Sequence, residues 1–278
     1  MTLRIGVKLP GRFATAGEFL ADAQAYEAAG AHSLWVAEDT LPAADNAQAP
    51  AGLDPWTRLA ALAAVTHRVL LGTSVSIVTQ WPPALFAQMI TTLERLSRAR
   101  MLIGVGAGCV RMQLEAAGVS YAQRGARLEE FIEVVRRIWR GDSARFEGRF
   151  YRQPAMRIAT AAREGGPPIL VGGLTDAGFR RAARLGDGFI HRGGLPEQVK
   201  SEFDRVLQFR QEAGRRNDFD LWVQARSPQG RAAWREMLRD YGRAGATGII
   251  VDHAPNLLDI LRNPDNEDGR QDLLIATG

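Results

Sequence analysis

Eight short runs rich in Val, Ile and Leu recur along the 278-residue chain, and each is followed by a longer amphipathic stretch. This alternation is typical of strand–helix units joined into a parallel sheet. Eight units in about 250 residues predict an α/β protein built as a closed (β/α)8 TIM barrel. The alternative is an open doubly wound sheet, which usually stops at about five or six strands. The strand candidates span residues 4–9, 33–38, 69–78, 101–106, 168–172, 188–192, 221–225 and 248–252.

The predicted helices carry recognisable start and stop signals. Asp54 precedes Pro55 as an N-cap, Thr175 precedes Asp176, and a glycine follows several of the last turns. These signals and the apolar spacing predict helices over residues 16–29, 55–66, 83–97, 124–140, 176–185, 197–214 and 230–244, with a short one after Pro255.

The interval between the fourth and fifth predicted strands is unusually long, since their first residues, Met101 and Pro168, lie 67 positions apart. We expect an insertion between strands 4 and 5, containing a helical segment over residues 112–117, the long helix from Arg124, and a hairpin with a tight turn at Glu147-Gly148. No linker or break in composition divides the chain. A single domain over residues 1–278 is therefore predicted.

Charge and cysteine content exclude several classes of protein. The 35 basic residues are interspersed with 31 acidic ones and form no basic run, which argues against a nucleic-acid partner. Cys109 is the only cysteine, the four histidines have no metal-ligand spacing, and no apolar stretch approaches the roughly 18 residues that span a bilayer. No charged leader precedes the first strand. We expect a cytoplasmic protein without a metal, a disulfide or a membrane partner.

In a βα barrel the site lies at the C-terminal mouths of the strands, so candidate residues directly follow each strand. Two glycine turns stand out there, Gly106-Ala107-Gly108 and Gly172-Gly173. Glycines let a backbone approach a phosphate or a flat ring, and Gly172-Gly173 before a helix start at Thr175 predicts an anion site. The Rossmann fingerprint does not fit, because its glycine spacing and its place in the first unit are missing. Alternatively, these glycines only allow packing and turning.

Polar residues at other strand ends are candidates for acid–base chemistry or anion binding. Glu38 and Asp39 are adjacent carboxylates, of which one would face the site and act as acid or base, the alternative being a backbone cap or an arginine partner. His191 is a candidate proton donor or a polar rim residue. Arg192 and Arg226 are suited to bind a phosphate or carboxylate, or are simple rim arginines.

Seven phrases occur in order along the first two thirds of the chain. They are AGAHSLWVAE (29–38), DPWTRLAALAA (54–64), THRVLLGT (66–73), TLERLS (92–97), LIGVGAG (102–108), RRIW with FEGRFY (136–139, 146–151), and PPILVGG with AARLGDG (167–173, 182–188). Together they resemble the bacterial luciferase-like flavin- and deazaflavin-dependent oxidoreductases. Beyond about residue 187 only the alternation of strands and helices agrees with the family pattern.

The resemblance implies a barrel with a flavin-type ring across the strand mouths. Its phosphate would rest on Gly172 and Gly173, residues 106–108 would touch the ring or ribityl side, and residues 74–76 would lie behind the ring, with Ser74–Val75 as a non-prolyl cis peptide. A chain of this length looks most like the users of coenzyme F420, a deazaflavin, with flavin mononucleotide (FMN) as the alternative. Arg192 and Arg226 would suit the anionic glutamyl tail of F420.

The sequence departs from the family pattern at two places. Asp39 stands where many relatives carry a histidine, and Gln113 stands where an acid is usual. The expected function is an F420-dependent oxidoreductase that passes hydride to or from a small organic substrate. The alternatives are an FMN-dependent monooxygenase served by a separate reductase, and a non-redox barrel that binds a phosphorylated ligand. A homodimer is compatible with each of them.

Overall fold

The computed structural model describes residues 3–38, 52–142, 145–155, 163–254 and 256–262. Eight parallel strands close into the predicted barrel, and a separate two-stranded hairpin lies outside it. The strands are β1 (Arg4–Lys8), β2 (Ser33–Val36), β3 (Leu70–Thr73), β4 (Met101–Val105), β5 (Phe146–Glu147), β6 (Arg152–Gln153), β7 (Ile169–Gly172), β8 (Gly188–His191), β9 (Asp220–Ala225) and β10 (Gly248–Asp252). Around the barrel the order is β1-β10-β9-β8-β7-β4-β3-β2.

Helices surround the barrel, and the predicted caps Asp54 and Thr175 are confirmed. Thr15, Asp54 and Thr175 each accept a backbone N–H of the first helical turn through their side-chain oxygen. The helices are α1 (Ala16–Ala28), α2 (Pro55–Val65), α3 (Pro83–Leu96), α4 (Arg111–Ala116), α5 (Arg124–Trp139), α6 (Asp176–Leu185), α7 (Pro196–Glu212), α8 (Arg231–Arg243) and α9 (Leu257–Arg262). None of the described helices is long and apolar enough to cross a membrane.

The segment between β4 and β7 contains α4, α5 and the β5–β6 hairpin. The predicted hairpin is present, but its tight turn lies at Arg149-Phe150 rather than at Glu147-Gly148, since the Gly148 N–H donates to the Tyr151 carbonyl at 2.9 Å. The turn is held by α5, whose Glu130 carboxylate accepts the backbone N–H groups of Arg149, Phe150 and Tyr151 at 3.0, 2.9 and 2.7 Å. A tertiary contact therefore adds to the local turn chemistry.

Two tryptophans fill the interior of the barrel. Trp35 and Trp222 are fully buried, with ring centroids 5.1 Å apart. Glycines make room for them: a Cβ on Gly72 would lie 2.5 Å from the Trp35 ring, and one on Gly248 would lie 2.5 Å from the Trp222 ring. This packing closes the interior beneath the C-terminal mouth. It also identifies which residues of each strand face inward, because side chains alternate along a strand.

Candidate active site at the barrel mouth

Three neighbouring strands, β3, β4 and β7, form a surface without large side chains at the mouth, which we call the glycine wall. Val75, just after β3, lies between Gly106, which follows β4, and Gly172, which ends β7: a Cβ on Gly106 would come within 2.8 Å of Val75 Cγ2, and one on Gly172 within 3.2 Å of Val75 Cγ1. The Ser74–Val75 peptide is cis, as the resemblance implies. The result is a low apolar surface of the kind that a flat ring can lie against.

Glu38 anchors the segment after β3. Its Oε2 accepts the hydroxyl of Ser76 and the N–H of Ile77, the latter at 2.7 Å. The carboxylate therefore acts as a cap on the backbone beside the wall, which is the alternative that the sequence left open for it. Ser76 is buried and its hydroxyl donates to Glu38, while the buried Ser74 Oγ has no hydrogen-bond partner among the described residues. Asp39, the second predicted carboxylate, lies outside the described residues.

The turn after β7 opens into α6. Thr175 Oγ1 accepts the N–H of Gly178 at 3.4 Å, so the first turn is capped and its remaining N–H groups point toward the mouth. Gly173 packs directly on this turn, since a Cβ there would lie 2.8 Å from Gly178 Cα. Asp176 would oppose an anion here, but Arg205 forms an ion pair with it. The arrangement suits a phosphate.

The turn after β4 is held from α5. Gly108 adopts a φ of +87°, which favours glycine, and its carbonyl accepts Arg124 Nε at 3.0 Å. The Arg124 guanidinium lies 3.8 Å from the centroid of the Tyr121 ring. Ala107 is half-buried against the core. The predicted residues 106–108 thus form one edge of the wall, in a conformation fixed by a long-range contact.

His191 does not face the mouth, which corrects the expectation that it acts as a proton donor there. Its neighbour Ile190 packs with the interior tryptophans, so alternation turns His191 outward against α7. The ring is buried beside Phe203, Nδ1 accepts the Gly193 N–H at 3.0 Å, and Nε2 lies 2.5 Å from Glu202 Oε2. Because Nδ1 is an acceptor, the neutral ring donates from Nε2 to the carboxylate. The histidine therefore fixes the turn after β8.

Cations are available at the same end of the barrel. Arg192 follows the outward-facing His191, so alternation directs its side chain toward the mouth, and it is exposed. Arg226, just after β9, is also exposed. Neither makes a hydrogen bond or ion pair with the described part of the chain. Their charges are thus free to attract an anionic group.

An ion pair opposite the glycine wall was missed by sequence analysis. Lys8 ends β1 and Asp252 ends β10, the two are register partners, and Lys8 Nζ lies 2.7 Å from Asp252 Oδ1. Both residues stand at predicted strand ends, but 244 positions separate them and nothing in the sequence pairs them. The alternation of side chains along a strand indicates that both residues face inward, since Lys8 is two positions beyond the inward-facing Gly6.

The residues at the mouth fit a flat anionic cofactor of the flavin type. The glycine wall would accept a ring, the unpartnered Ser74 Oγ offers it a hydrogen bond, and the capped start of α6 would accept a phosphate. The described residues contain no group of three or more His, Cys, Asp or Glu side chains able to hold a metal ion.

Known proteins resemble this chain in sequence. An uncharacterised protein of Mycobacterium tuberculosis is 39% identical over 172 residues, which cover 62% of this chain and 59% of that protein. An F420-dependent glucose-6-phosphate dehydrogenase of Nakamurella multipartita is 33% identical over 223 residues, covering 78% of this chain and 64% of that protein. The chain thus spans about three fifths of the length of these relatives.

A solved structure and a family model extend the match to nearly the whole chain. An F420-dependent secondary alcohol dehydrogenase, solved in complex with an F420–acetone adduct, has the same fold, with a TM-score of 0.81, 18% identity, and coverage of 96% of this chain and 100% of that one. The model described as luciferase-like monooxygenase matches residues 3–272. The resemblance seen in the sequence is thereby confirmed, and the chain belongs to the luciferase-like monooxygenase family.

Proposed function

We propose that this protein is an oxidoreductase that binds coenzyme F420 at the barrel mouth and acts on a small organic substrate in the cytoplasm. When bound, a deazaflavin supplies a ring carbon that carries hydride to or from the substrate. Family membership supports the redox class, and the relatives named F420-dependent support the cofactor. The observation that carries the proposal is the wall of Gly106, Val75 and Gly172 beside the capped start of α6.

Each part of the mouth has a separate task in this proposal. The wall and Ser74 hold the ring, while Glu38 keeps the segment after β3 in position through Ser76 and Ile77. The first turn of α6 with Gly172 and Gly173 binds the phosphate. By holding the ring across the strand mouths, these residues also exclude water from the reacting face.

The exposed arginines favour F420 over FMN. FMN ends in one phosphate, which the start of α6 is able to satisfy alone, whereas F420 continues into an anionic glutamyl tail. Arg192 and Arg226, unpaired within the described chain, lie at neighbouring strand ends, as such a tail requires. The alternative, an FMN-dependent monooxygenase supplied with reduced flavin by a separate reductase, draws support from the family's description.

Titration of both cofactors, followed by fluorescence quenching, tests the proposal. We expect F420 to bind more tightly than FMN at about 0.1 M salt and to weaken at about 1 M salt, because the Debye length shortens from roughly 10 Å to roughly 3 Å and the tail contacts are exposed. Arg192→Ala should weaken F420 binding and remove much of this salt dependence. Arg239→Ala, an exposed arginine on α8, is the matched control.

A substitution in the wall tests the ring site separately. Gly172→Ala places a methyl group 3.2 Å from Val75 Cγ1 and should weaken binding of either cofactor at least about tenfold, equivalent to about 1.4 kcal/mol. Gly242→Ala on α8 is the control, since a Cβ there meets nothing within 4 Å. Gly173 is a poor choice because any side chain there would displace the turn around Gly178.

Three outcomes would contradict parts of the proposal. Tighter binding of FMN, or salt-independent binding of F420, would show that the cofactor or its tail is wrongly assigned. Equal cofactor affinity in Gly172→Ala and Gly242→Ala would remove the ring from the wall. Failure to bind either cofactor, together with binding of inorganic phosphate at α6, would favour the non-redox barrel.

A further inference from the structure

The ion pair of Lys8 and Asp252 lies across the mouth from the glycine wall. In the order of strands around the barrel, β1 and β10 are opposite β4 and β7; Gly106 follows β4 and Gly172 ends β7. The side chains of Lys8 and Asp252 are 30% and 45% exposed, so a small molecule within the mouth is able to reach both. Any substrate that lies over a ring on the glycine wall has this pair on its other side.

A lysine at this place is unusual for this chain. Of its 35 basic residues only Lys8 and Lys200 are lysines, and Lys200 pairs with Asp204 one turn along the exposed face of α7. An ammonium group is a compact charge with three rotatable N–H donors, whereas a guanidinium group is a wide planar fork. After one bond to Asp252, Lys8 keeps two donors for a single oxygen atom beside it.

We propose that Lys8, positioned by Asp252, binds the carbonyl or hydroxyl oxygen of the substrate. The pair is charge-balanced, so a neutral oxygen-bearing molecule is favoured over a carboxylate, which would meet the Asp252 charge. A lysine N–H also stabilises the negative charge that accumulates on a carbonyl oxygen during reduction. This inference deepens the proposed function and rests on it for the chemistry, but binding of the oxygen by Lys8 does not require a bound cofactor.

The scarcity of lysine makes a direct test possible. Biosynthetic incorporation of ¹³Cε,¹⁵Nζ-lysine labels only Lys8 and Lys200 and leaves their N–H donors intact, and the loss of one signal in Lys8→Arg assigns Lys8. The labelled protein is then titrated, with and without F420, using small ketones from acetone to cyclohexanone, their alcohols, and cyclohexanecarboxylate. We expect ketones or alcohols to shift the Lys8 signal saturably, the carboxylate to bind at least about tenfold more weakly, and the Lys200 signal to stay in place.

Kinetic variants supply a second measurement. With a ketone or alcohol that is turned over, Lys8→Met and Asp252→Asn should raise KM at least about tenfold, or lower kcat, while the dissociation constant of F420 stays within about twofold of the wild-type value. Lys8→Arg should recover part of the loss, because it restores the charge but not the shape. Circular dichroism and cofactor affinity confirm that each variant is folded.

The outcomes separate this inference from the proposed function. If no ketone or alcohol moves the Lys8 signal, or if the carboxylate binds best, the assignment of Lys8 is overturned even when F420 binds. If neither F420 nor FMN binds, the proposed function fails, and the titration without cofactor still decides whether Lys8 binds neutral oxygen. Loss of F420 affinity in Lys8→Met would place this residue in the cofactor site and also overturn the inference.

Discussion

Glu27 joins α1 to the start of β3 through a single carboxylate, and its replacement by glutamine has a calculable effect. Its Oε1 accepts the N–H groups of His67, Arg68 and Val69 at 2.8, 2.6 and 3.0 Å. Glutamine is able to place its carbonyl at the Oε1 position, but the charge is lost and so is the second acceptor, Oε2, which lies 3.1 Å from the His67 N. A neutral bond contributes about 1 kcal/mol and a charge-assisted one about twice as much. Because one oxygen serves three donors, we expect Glu27→Gln to lower the free energy of unfolding by about 2 kcal/mol at pH 7.

The pH dependence of this loss follows from the same contacts. Burial alone would raise the pKa of Glu27, but three backbone N–H donors and the Arg68 charge outweigh it, so the pKa lies below its ordinary value of 4.5. A lowered pKa means that the carboxylate stabilises the fold above pH 4.5 and that this contribution disappears as the pH falls through the folded-state value. The difference between wild type and Glu27→Gln should therefore shrink in acid.

Urea unfolding followed by circular dichroism from pH 7 to pH 3.5 measures both quantities. Glu133→Gln, an exposed residue on α5, is the control and should stay within about 0.5 kcal/mol of wild type. A loss below about 0.5 kcal/mol for Glu27→Gln at pH 7, or a difference that grows toward acid, would refute this account of the carboxylate.

Two histidines give further predictions. Burial, with Arg4 nearby, lowers the pKa of His32 from 6.5 to about 4. The folded protein should therefore lose up to about 3 kcal/mol of unfolding free energy as the pH falls from 6.5 to about 4. The unfolding free energy of His32→Asn should lack this pH dependence, and an unchanged pH dependence would contradict the lowered pKa of His32. His191→Asn keeps an acceptor for Gly193 but loses Glu202, so it should cost about 1–3 kcal/mol of stability without changing the shape of the pH profile of turnover. Loss of one limb of that profile would restore a catalytic role for His191.

Several residues of the candidate site could be placed at strand ends from the sequence, though the orientation of its polar side chains could not. Gly106 and Gly172 lie where strand ends predict them, and for Gly172 the helix cap at Thr175 reinforces this local pattern. The sequence left Glu38 open between an acid or base and a backbone cap or arginine partner, and only the tertiary structure brings its carboxylate to Ser76 and Ile77. The hairpin turn lies two residues later than predicted, where Glu130 from another element accepts the N–H groups of residues 149–151.

The sequence by itself determined the eight strand–helix units, since apolar periodicity depends on residues a few positions apart, and its seven phrases carried the resemblance to the family. The tertiary structure decided which face each strand turns to the mouth. All four residues of β8 are buried, so the sequence of this strand does not distinguish its inward face from its outward face. Only packing against the interior tryptophans turns Ile190 inward and His191 outward. The closing of the barrel likewise brings Lys8 to Asp252, because β1 pairs with β10, the last strand, only when the barrel is closed.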